Sequence, residues 1–210
     1  MIRADVTAIG TIKRAATIRT DKNNQPYLSF ILGITLTDSK GSAKDIELFV
    51  MDTKGKQSDI SLYSEKKRVS VKGSMNIRTK GEELAYYINA ESITTKEVAE
   101  LDSIDGDLRF VGFLRKDKVC EEKTDRNGKP YLIFSAYSSE KVGDSFVNTW
   151  VNFRRFPEKD TGIETVKPEW MQPKAHVIID GDLHLEYYGG KVRISSRVKD
   201  MSLWEKKSRD

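Results

Sequence analysis

A short stretch of the chain occurs twice, and this duplication constrains the fold more than any other feature of the sequence. Thr20–Phe30 reads Thr-Asp-Lys-Asn-Asn-Gln-Pro-Tyr-Leu-Ser-Phe, and Thr124–Phe134 reads Thr-Asp-Arg-Asn-Gly-Lys-Pro-Tyr-Leu-Ile-Phe. The copies begin about 100 residues apart, which is the size of one small domain and too long for the period of a solenoid. The sequence therefore predicts a duplicated domain.

The 210 residues are enough for two domains of this size. A polar, acidic segment separates the two copies and is typical of a linker. We expect a first domain at 1–95, a linker at 96–106 and a second domain at 107–204. A flexible tail is expected at 205–210.

Alternating apolar and polar residues predict five short strands in each copy. In the first copy they fall at 6–12, 27–34, 46–50, 69–77 and 84–93. In the second copy they fall at 110–113, 131–137, 148–156, 176–185 and 192–204. The segment 52–67 has no strand period and predicts a loop or a short helix. Five short strands with a helix-sized gap after the third favour an all-β closed barrel over a sandwich.

Composition adds broad limits. The formal net charge is +4 and the pI about 8.9, a mild excess that permits a polyanionic partner without requiring one. Cys120 is the only cysteine, so no intrachain disulfide is possible and a reducing compartment is expected. No run of about 18 apolar residues is present, which predicts a soluble, cytoplasmic chain without a membrane span.

The sequence offers little for catalysis. Its two histidines, His176 and His184, lack a third metal ligand nearby. It contains neither a glycine-rich phosphate loop nor a Gly-x-Ser-x-Gly elbow. We therefore expect no enzyme activity, no metal and no cofactor.

Three pairs of motifs resemble the single-stranded DNA-binding protein family of the oligonucleotide/oligosaccharide-binding (OB) fold. The strand–glycine motifs are Ile9-Gly10 and Val111-Gly112, the turns before an inward Phe are 23–30 and 127–134, and the lysine-rich leads into a glycine are 66–73 and 174–181. The resemblance implies two tandem five-stranded OB-fold barrels, each with a short helix or loop between strands three and four. It also implies non-catalytic, largely sequence-independent binding of single-stranded DNA, which protects or presents single strands in replication or recombination.

The second copy carries more of the resemblance than the first. Thr149–Phe156 looks like the family's third strand, which implies that Trp150 and Phe156 stack on bases. Tyr188 follows Gly181 at the spacing of a further stacking aromatic. The first copy departs from this pattern, because it has Asp45-Ile46-Glu47-Leu48-Phe49 in the place of the Trp strand and Lys80 in the place of Tyr188.

Strand parity and charge extend the candidate site. In the strands after the repeated turn, Leu, Phe and Ala take the core face, which leaves Tyr27, Tyr131 and Tyr137 outward. Two arginines between Trp150 and Phe156 are placed to reach a phosphate or a base. The candidate DNA-binding residues are Trp150, Phe156, Arg154, Arg155, Tyr131, Tyr137, Tyr188, Tyr27, Lys72 and Arg193. Trp170 and Trp204 are interpreted as packing residues, and Phe30 and Phe134 as core.

Other readings stay open at this point. The two domains could dock other proteins in a replication or phage assembly, or bind RNA or an oligosaccharide, because the fold alone does not choose the ligand. A monomer and a homodimer are both compatible with two barrels in one chain. Many bacterial members recruit replication proteins with an acidic-tipped tail, and this sequence has no such tail. Recruitment of replication proteins therefore stays an open alternative, and the fused domains without such a tail suggest a phage or mobile element.

Overall fold

The computed structural model describes residues 1–159 and 161–205, so all but the first residue of the predicted tail lies outside the described part. Within those residues the chain forms eleven strands and two short 3₁₀ helices, and no helix there is long and apolar enough to span a membrane. The strands are β1 Ile2–Thr20, β2 Pro26–Thr37, β3 Ala43–Asp52, β4 Arg68–Lys80, β5 Glu83–Thr94, β6 Ser103–Leu114, β7 Glu121–Thr124, β8 Pro130–Val142, β9 Ser145–Arg155, β10 His176–Tyr188 and β11 Lys191–Leu203. The 3₁₀ helices are Gln57–Tyr63 and Ile163–Val166.

The chain divides into two compact units. The first unit comprises Arg3–Gly106 and Leu185–Val192, and the second comprises Met1–Ile2, Asp107–His184 and the residues from Arg193. The bounds of the two units therefore differ from those of the two sequence copies, because the tip of the β10–β11 hairpin groups with the first unit.

In the first unit the strands pair in an order that closes on itself. β1 pairs antiparallel with both β2 and β4, β2 pairs antiparallel with β3, β3 runs parallel to β5, and β5 pairs antiparallel with β4. Leu28, Phe30 and Leu32 point into this ring and are buried. The 3₁₀ helix between β3 and β4 adds the buried Tyr63, whose ring stacks on Phe30 at 5.4 Å between centroids.

The second unit repeats the same closed order. β6 pairs antiparallel with β8 and β10, β8 pairs antiparallel with β9, β9 runs parallel to β11, and β11 neighbours β10. Phe134 and Phe110 both contact Phe153 in its core, at centroid distances of 5.1 and 5.3 Å. A closed five-stranded ring of this kind is the OB arrangement. The prediction of an all-β, OB-type fold is confirmed.

The duplicated stretch forms the same turn in both units. A carboxylate oxygen of Asp21 accepts hydrogen bonds from the backbone N–H groups of Asn23 and Gln25, both at 2.8 Å. Asp125 accepts from Asn127 and Lys129 at the same distances. The fourth turn residue has positive φ in each copy, 58° at Asn24 and 77° at Gly128. Asn and Gly are the residues that adopt this conformation most readily, which explains why they stand there.

The strand–glycine motifs mark where the ring closes. A Cβ on Gly10 would lie 2.2 Å from the carbonyl oxygen of Gly33, and one on Gly112 would lie 2.2 Å from that of Tyr137. The first strand of each unit thus crosses the second too closely for any side chain. The irregular pairing of β1 with β2 comes later, between Ile12 and Thr17, and lets β1 continue past its predicted end.

Two other elements differ from the sequence-based expectation. β7 was not predicted, because Glu121–Thr124 is polar throughout and shows no alternation. Part of the predicted linker is ordered: β6 already begins at Ser103, and Asp102 is ion-paired with Arg68 at 2.7 Å. In each copy a 3₁₀ helix lies between the third and fourth strands, where the sequence predicts a loop or a short helix.

Candidate functional site

The exposed Trp150 and the half-buried Tyr137 form an aromatic pair on the outer face of the second unit. They lie opposite each other on β9 and β8, with ring centroids 5.0 Å apart. Both point outward because their neighbours Val151 and Ala136 are buried in the core. The side chain of Trp150 is 47% exposed, so one part of the indole remains open to solvent.

The pair belongs to a longer row that crosses neighbouring strands. Phe113 on β6 lies 5.9 Å from Tyr137, His176 on β10 stacks on Phe113 at 4.4 Å, and Trp204 stacks on His176 at 4.4 Å. We call Trp150, Tyr137, Phe113, His176 and Trp204 the aromatic row. Sequence reasoning missed Phe113 and His176. Trp204, predicted to be a packing residue, does pack on His176, but its side chain also remains 39% exposed.

His176 is partly enclosed by this row. Its ring lies between Phe113 and Trp204, and its backbone carbonyl accepts a hydrogen bond from the Trp204 N–H at 2.9 Å. Burial lowers the pKa of the imidazole below its ordinary value of 6.5. The residue is therefore neutral at physiological pH and contributes a flat, uncharged ring.

A shallow depression of about 570 Å³ adjoins the Trp150 end of the row. Its polar floor includes Ser135, whose hydroxyl is 2.8 Å from the side-chain oxygen of Asn152. Its lining also includes Arg115, Lys116 and Asp117, and Arg115 is ion-paired with Asp117 at 3.6 Å. The depression thus combines ring faces, neutral hydrogen-bonding groups and charged groups of both signs, with one more cation than anion.

Tyr131 and Phe156 form a second aromatic pair in the same unit. Their rings are stacked at 4.9 Å with an interplanar angle of 16°. The guanidinium of Arg197 lies over Phe156, 5.0 Å from its centroid. The structure therefore brings Tyr131 and Phe156 together, and adds Arg197, which is not among the candidate residues predicted from the sequence.

The two candidate arginines of β9 have different surroundings. Arg154 is exposed and lies on the outward face with Trp150, whereas Arg155 lies on the core side of the strand. The Arg155 guanidinium donates to the Val166 carbonyl at 3.1 Å, and burial lowers its pKa. Arg154 is thus the one whose position fits contact with a ligand.

The remaining candidates are dispersed. Tyr188 is 61% exposed at the β10–β11 hairpin tip, within the segment that groups with the first unit. Arg193 is exposed on β11. In the first unit, Tyr27 is half-buried opposite Arg19, while Lys72 lies on β4 between Thr7 and Ser92.

A third aromatic pair lies in the first unit, away from the predicted Tyr27. Phe49 on β3 and Tyr87 on β5 are opposite each other, with centroids 6.1 Å apart. The guanidinium of Arg19 lies 5.4 Å from the Phe49 centroid and that of Arg78 lies 4.4 Å from the Tyr87 centroid. Strand parity could have identified both rings, because Leu48, Val50, Tyr86 and Ile88 alternate with them and are buried.

In the residues that the structure describes, no group of three or more His, Cys, Asp or Glu is arranged to hold a metal ion. Cys120 is free and half-buried.

Comparison with known proteins gives structural likenesses only. No protein-family model and no curated protein matches the chain. The wild-type single-stranded DNA binding protein from Thermus aquaticus aligns over 99% of this chain and 95% of its own, at 15% identity and a TM-score of 0.44. A deletion mutant of that protein aligns over 98% and 96%, at 14% identity and 0.45. The mitochondrial protein Rim1 from S. cerevisiae covers 46% of this chain and 91% of its own, at 26% identity and 0.36.

The structures named here are described as single-stranded DNA binding proteins, the family that the sequence motifs resemble. Each TM-score is below 0.5, so the fold assignment of this chain depends on its own strand pairings.

Proposed function

We propose that the chain is a non-catalytic protein that binds single-stranded DNA with little dependence on base sequence. The observation that carries this proposal is the aromatic row, whose exposed Trp150 end adjoins a depression lined by Arg115, Lys116 and Asp117. Unpaired bases offer flat π faces and the backbone offers negative charge, so a surface with exposed rings beside cations fits both.

Binding would begin with stacking of a base on the open part of the Trp150 indole. Tyr137 supports the indole from one side, so little conformational freedom remains to be lost when the base arrives. Each stacked base contributes about 1–3 kcal/mol, whichever base it is. The neutral His176 adds ring surface to the row without adding charge.

Phosphates would be held by arginines and lysines near the rings. Arg115 and Lys116 stand at the depression, Arg154 lies on the same face of β9 as Trp150, and Arg197 covers Phe156. These cations contact the backbone, which is the same for every sequence. A role in protecting or presenting single strands during replication or recombination is part of the proposal.

Titration of the whole chain with oligo(dT) at low salt tests the proposal through tryptophan fluorescence. We expect quenching, with affinity that falls as salt rises at a logarithmic slope of about −0.7 per phosphate contact. Replacement Trp150→Ala should weaken binding by about 1–3 kcal/mol, whereas the half-buried Trp170→Ala serves as the control and should have little effect.

The same titration separates the alternatives. Absence of quenching and of any change in oligonucleotide anisotropy at low salt would rule out nucleic-acid binding and favour a protein-docking role. Stronger binding of oligo(rU) than of oligo(dT) would identify an RNA-binding protein.

A further inference from the structure

We propose that the first unit carries a second, separately built binding site for single-stranded nucleic acid, made of Phe49, Tyr87, Arg19 and Arg78. The inference shares the ligand class of the proposed function but does not use Trp150 or any other residue of the second unit. It also differs from the sequence-based expectation, which placed the first-unit site around Tyr27.

The two rings are outside the core of the first unit. Phe49 and Tyr87 are half-buried on adjacent parallel strands, and their centroids are 6.1 Å apart at an interplanar angle of 63°. The inward residues on both sides of each ring already fill the core. Core packing therefore does not explain why two aromatic residues lie at the boundary between β3 and β5, which we call the seam.

Each ring is accompanied by an exposed arginine. Arg19 reaches Phe49 from β1, and Arg78 reaches Tyr87 from β4, with guanidinium carbons 5.4 and 4.4 Å from the respective centroids. Stacking on a ring engages the π face of a guanidinium and orders the side chain, while its N–H edge keeps the geometry that suits a phosphate. A nucleic-acid backbone that crosses the seam would thus meet one ordered cation beside each ring.

The register of the two copies explains why the sites differ. Phe30 lies opposite Val50 and Phe134 lies opposite Phe153, so Trp150 corresponds to Glu47 and Asn152 corresponds to Phe49. Glu47 is exposed and would repel a phosphate at the place where the second unit has its indole. The aromatic surface of the first unit is accordingly displaced along β3 and onto the seam with β5.

Two acidic side chains of the first unit are already paired with lysines. Asp45 accepts a hydrogen bond from the Thr35 hydroxyl at 2.7 Å and is ion-paired with Lys13 at 3.5 Å. Glu83 is similarly paired with Lys44 at 3.1 Å. Glu47, two residues from Phe49, is exposed, so Arg19 and Arg78 supply the positive charge beside the rings against that carboxylate.

Binding of a fluorescein-labelled dT octamer to the full chain, measured by anisotropy, tests this site in a Trp150→Ala background. Eight nucleotides fall within the range of about 4–16 that one OB barrel covers. Adding Arg19→Gln and Arg78→Gln should lower the residual affinity about fivefold or more, because each removes a phosphate contact. The matched control adds Lys40→Gln and Lys80→Gln, two exposed cations of the first unit with the same loss of charge, and should change affinity by less than about twofold.

Equal effects of the two double substitutions would overturn the second site. Circular dichroism of each variant checks that the fold is retained, and Phe49→Leu offers a further variant that keeps the bulk of the side chain without its π face. Loss of affinity in Phe49→Leu supports stacking, and unchanged affinity contradicts it.

Photocrosslinking of an iododeoxyuridine octamer, followed by peptide mapping, separates this inference from the proposed function. Crosslinks at Phe49 or Tyr87 support the second site, even if none forms at Trp150. Crosslinks confined to second-unit peptides overturn it and leave the proposed function standing. No crosslink and no anisotropy change with the unmodified sequence would overturn both.

Discussion

Arg154 and Arg155 are sequence neighbours with opposite surroundings. Alternation along β9 turns Arg154 to the outer face with Trp150 and Arg155 toward the core side. The sequence analysis identified the pair but treated its members alike, since the carbonyl of Val166 that receives Arg155 belongs to a 3₁₀ helix whose position no local pattern predicts. Parity favours Arg154 as the functional member.

Substitution of the two arginines by methionine, which preserves side-chain length, should separate their roles. Arg154→Met should lower the salt slope of oligo(dT) binding by about 0.7. Arg155→Met should lower the free energy of unfolding by about 1 kcal/mol, because the Val166 carbonyl loses its donor. Oligonucleotide titrations at several salt concentrations and urea denaturation measure the two effects. A larger salt-slope change in Arg155→Met would contradict the assignment.

Gly128 is a second residue whose role is local. Its φ of 77° lies in the left-handed region, and a Cβ added there would meet nothing within 4 Å. Gly128→Ala should therefore cost only the backbone strain, about 1–2 kcal/mol of unfolding free energy. Gly128→Asn should cost less, because Asn24 adopts a φ of 58° at the matching position.

Urea denaturation followed by tryptophan fluorescence gives the order of stability, which we expect to be Gly, then Asn, then Ala. The neighbouring Lys129→Ala is the control for a change in the same turn without a change in φ preference. An alanine variant as stable as the original chain would contradict the turn assignment.

At the scale of elements, periodicity predicted ten of the eleven strands because alternating burial requires alternating chemistry. It missed β7, whose four polar residues depend on pairing with β8 rather than on a buried face. The functional residues on the outward face of each strand were predicted less completely than the strands themselves. Phe113 and Phe49 alternate with buried neighbours and could have been found by parity, but nothing local shows that His176 on β10 stacks between residues from β6 and the end of β11.

The stacking of Trp204 on His176 makes a prediction about pH. Removal of the indole in Trp204→Ala exposes the imidazole, so the lowered pKa of His176 should rise toward its ordinary value of 6.5. NMR titration of the ring protons measures this, with His176→Gln for assignment and Trp170→Ala as the control. An unchanged or lower pKa would contradict the role of burial.

The sign of the effect on stability follows from the direction of this shift. The folded chain holds the His176 pKa below the unfolded value, so the unfolded chain binds more protons between the two values. The contribution of a neutral His176 is complete above about pH 6.5 and is lost as the pH falls through the folded-state pKa. Denaturation midpoints measured across that range should decline more in the original chain than in His176→Gln.

At the scale of the whole molecule, the distribution of tryptophan matters. Trp150, Trp170 and Trp204 all belong to the second unit, and the aromatic pair of the first unit consists of Phe and Tyr. Tryptophan emission therefore reports directly on only one of the two proposed sites.

The second site predicts the number of oligonucleotides bound per chain. With the chain well above the dissociation constants of both sites, the anisotropy of a labelled dT octamer should show binding of about two oligonucleotides per chain. In Arg19→Gln/Arg78→Gln this number should fall toward one, while the amplitude of tryptophan quenching, which reports on the second unit, should be kept. A stoichiometry of one in the original chain would contradict the second site.

The shared turn has a consequence for how the chain folds. β2 and β8 follow similar Asp-centred turns and share the sequence Pro-Tyr-Leu-x-Phe, so we expect that early in folding each can pair with the partner strand of the other. Such mispaired ladders are the kinetic traps typical of repeated domains. The partner strands have diverged, since β3 has Glu47 and Phe49 where β9 has Trp150 and Asn152. We therefore expect the mispaired ladders to be less stable than the native ones. The differences that set the two surfaces apart thus also help each strand find its own neighbour.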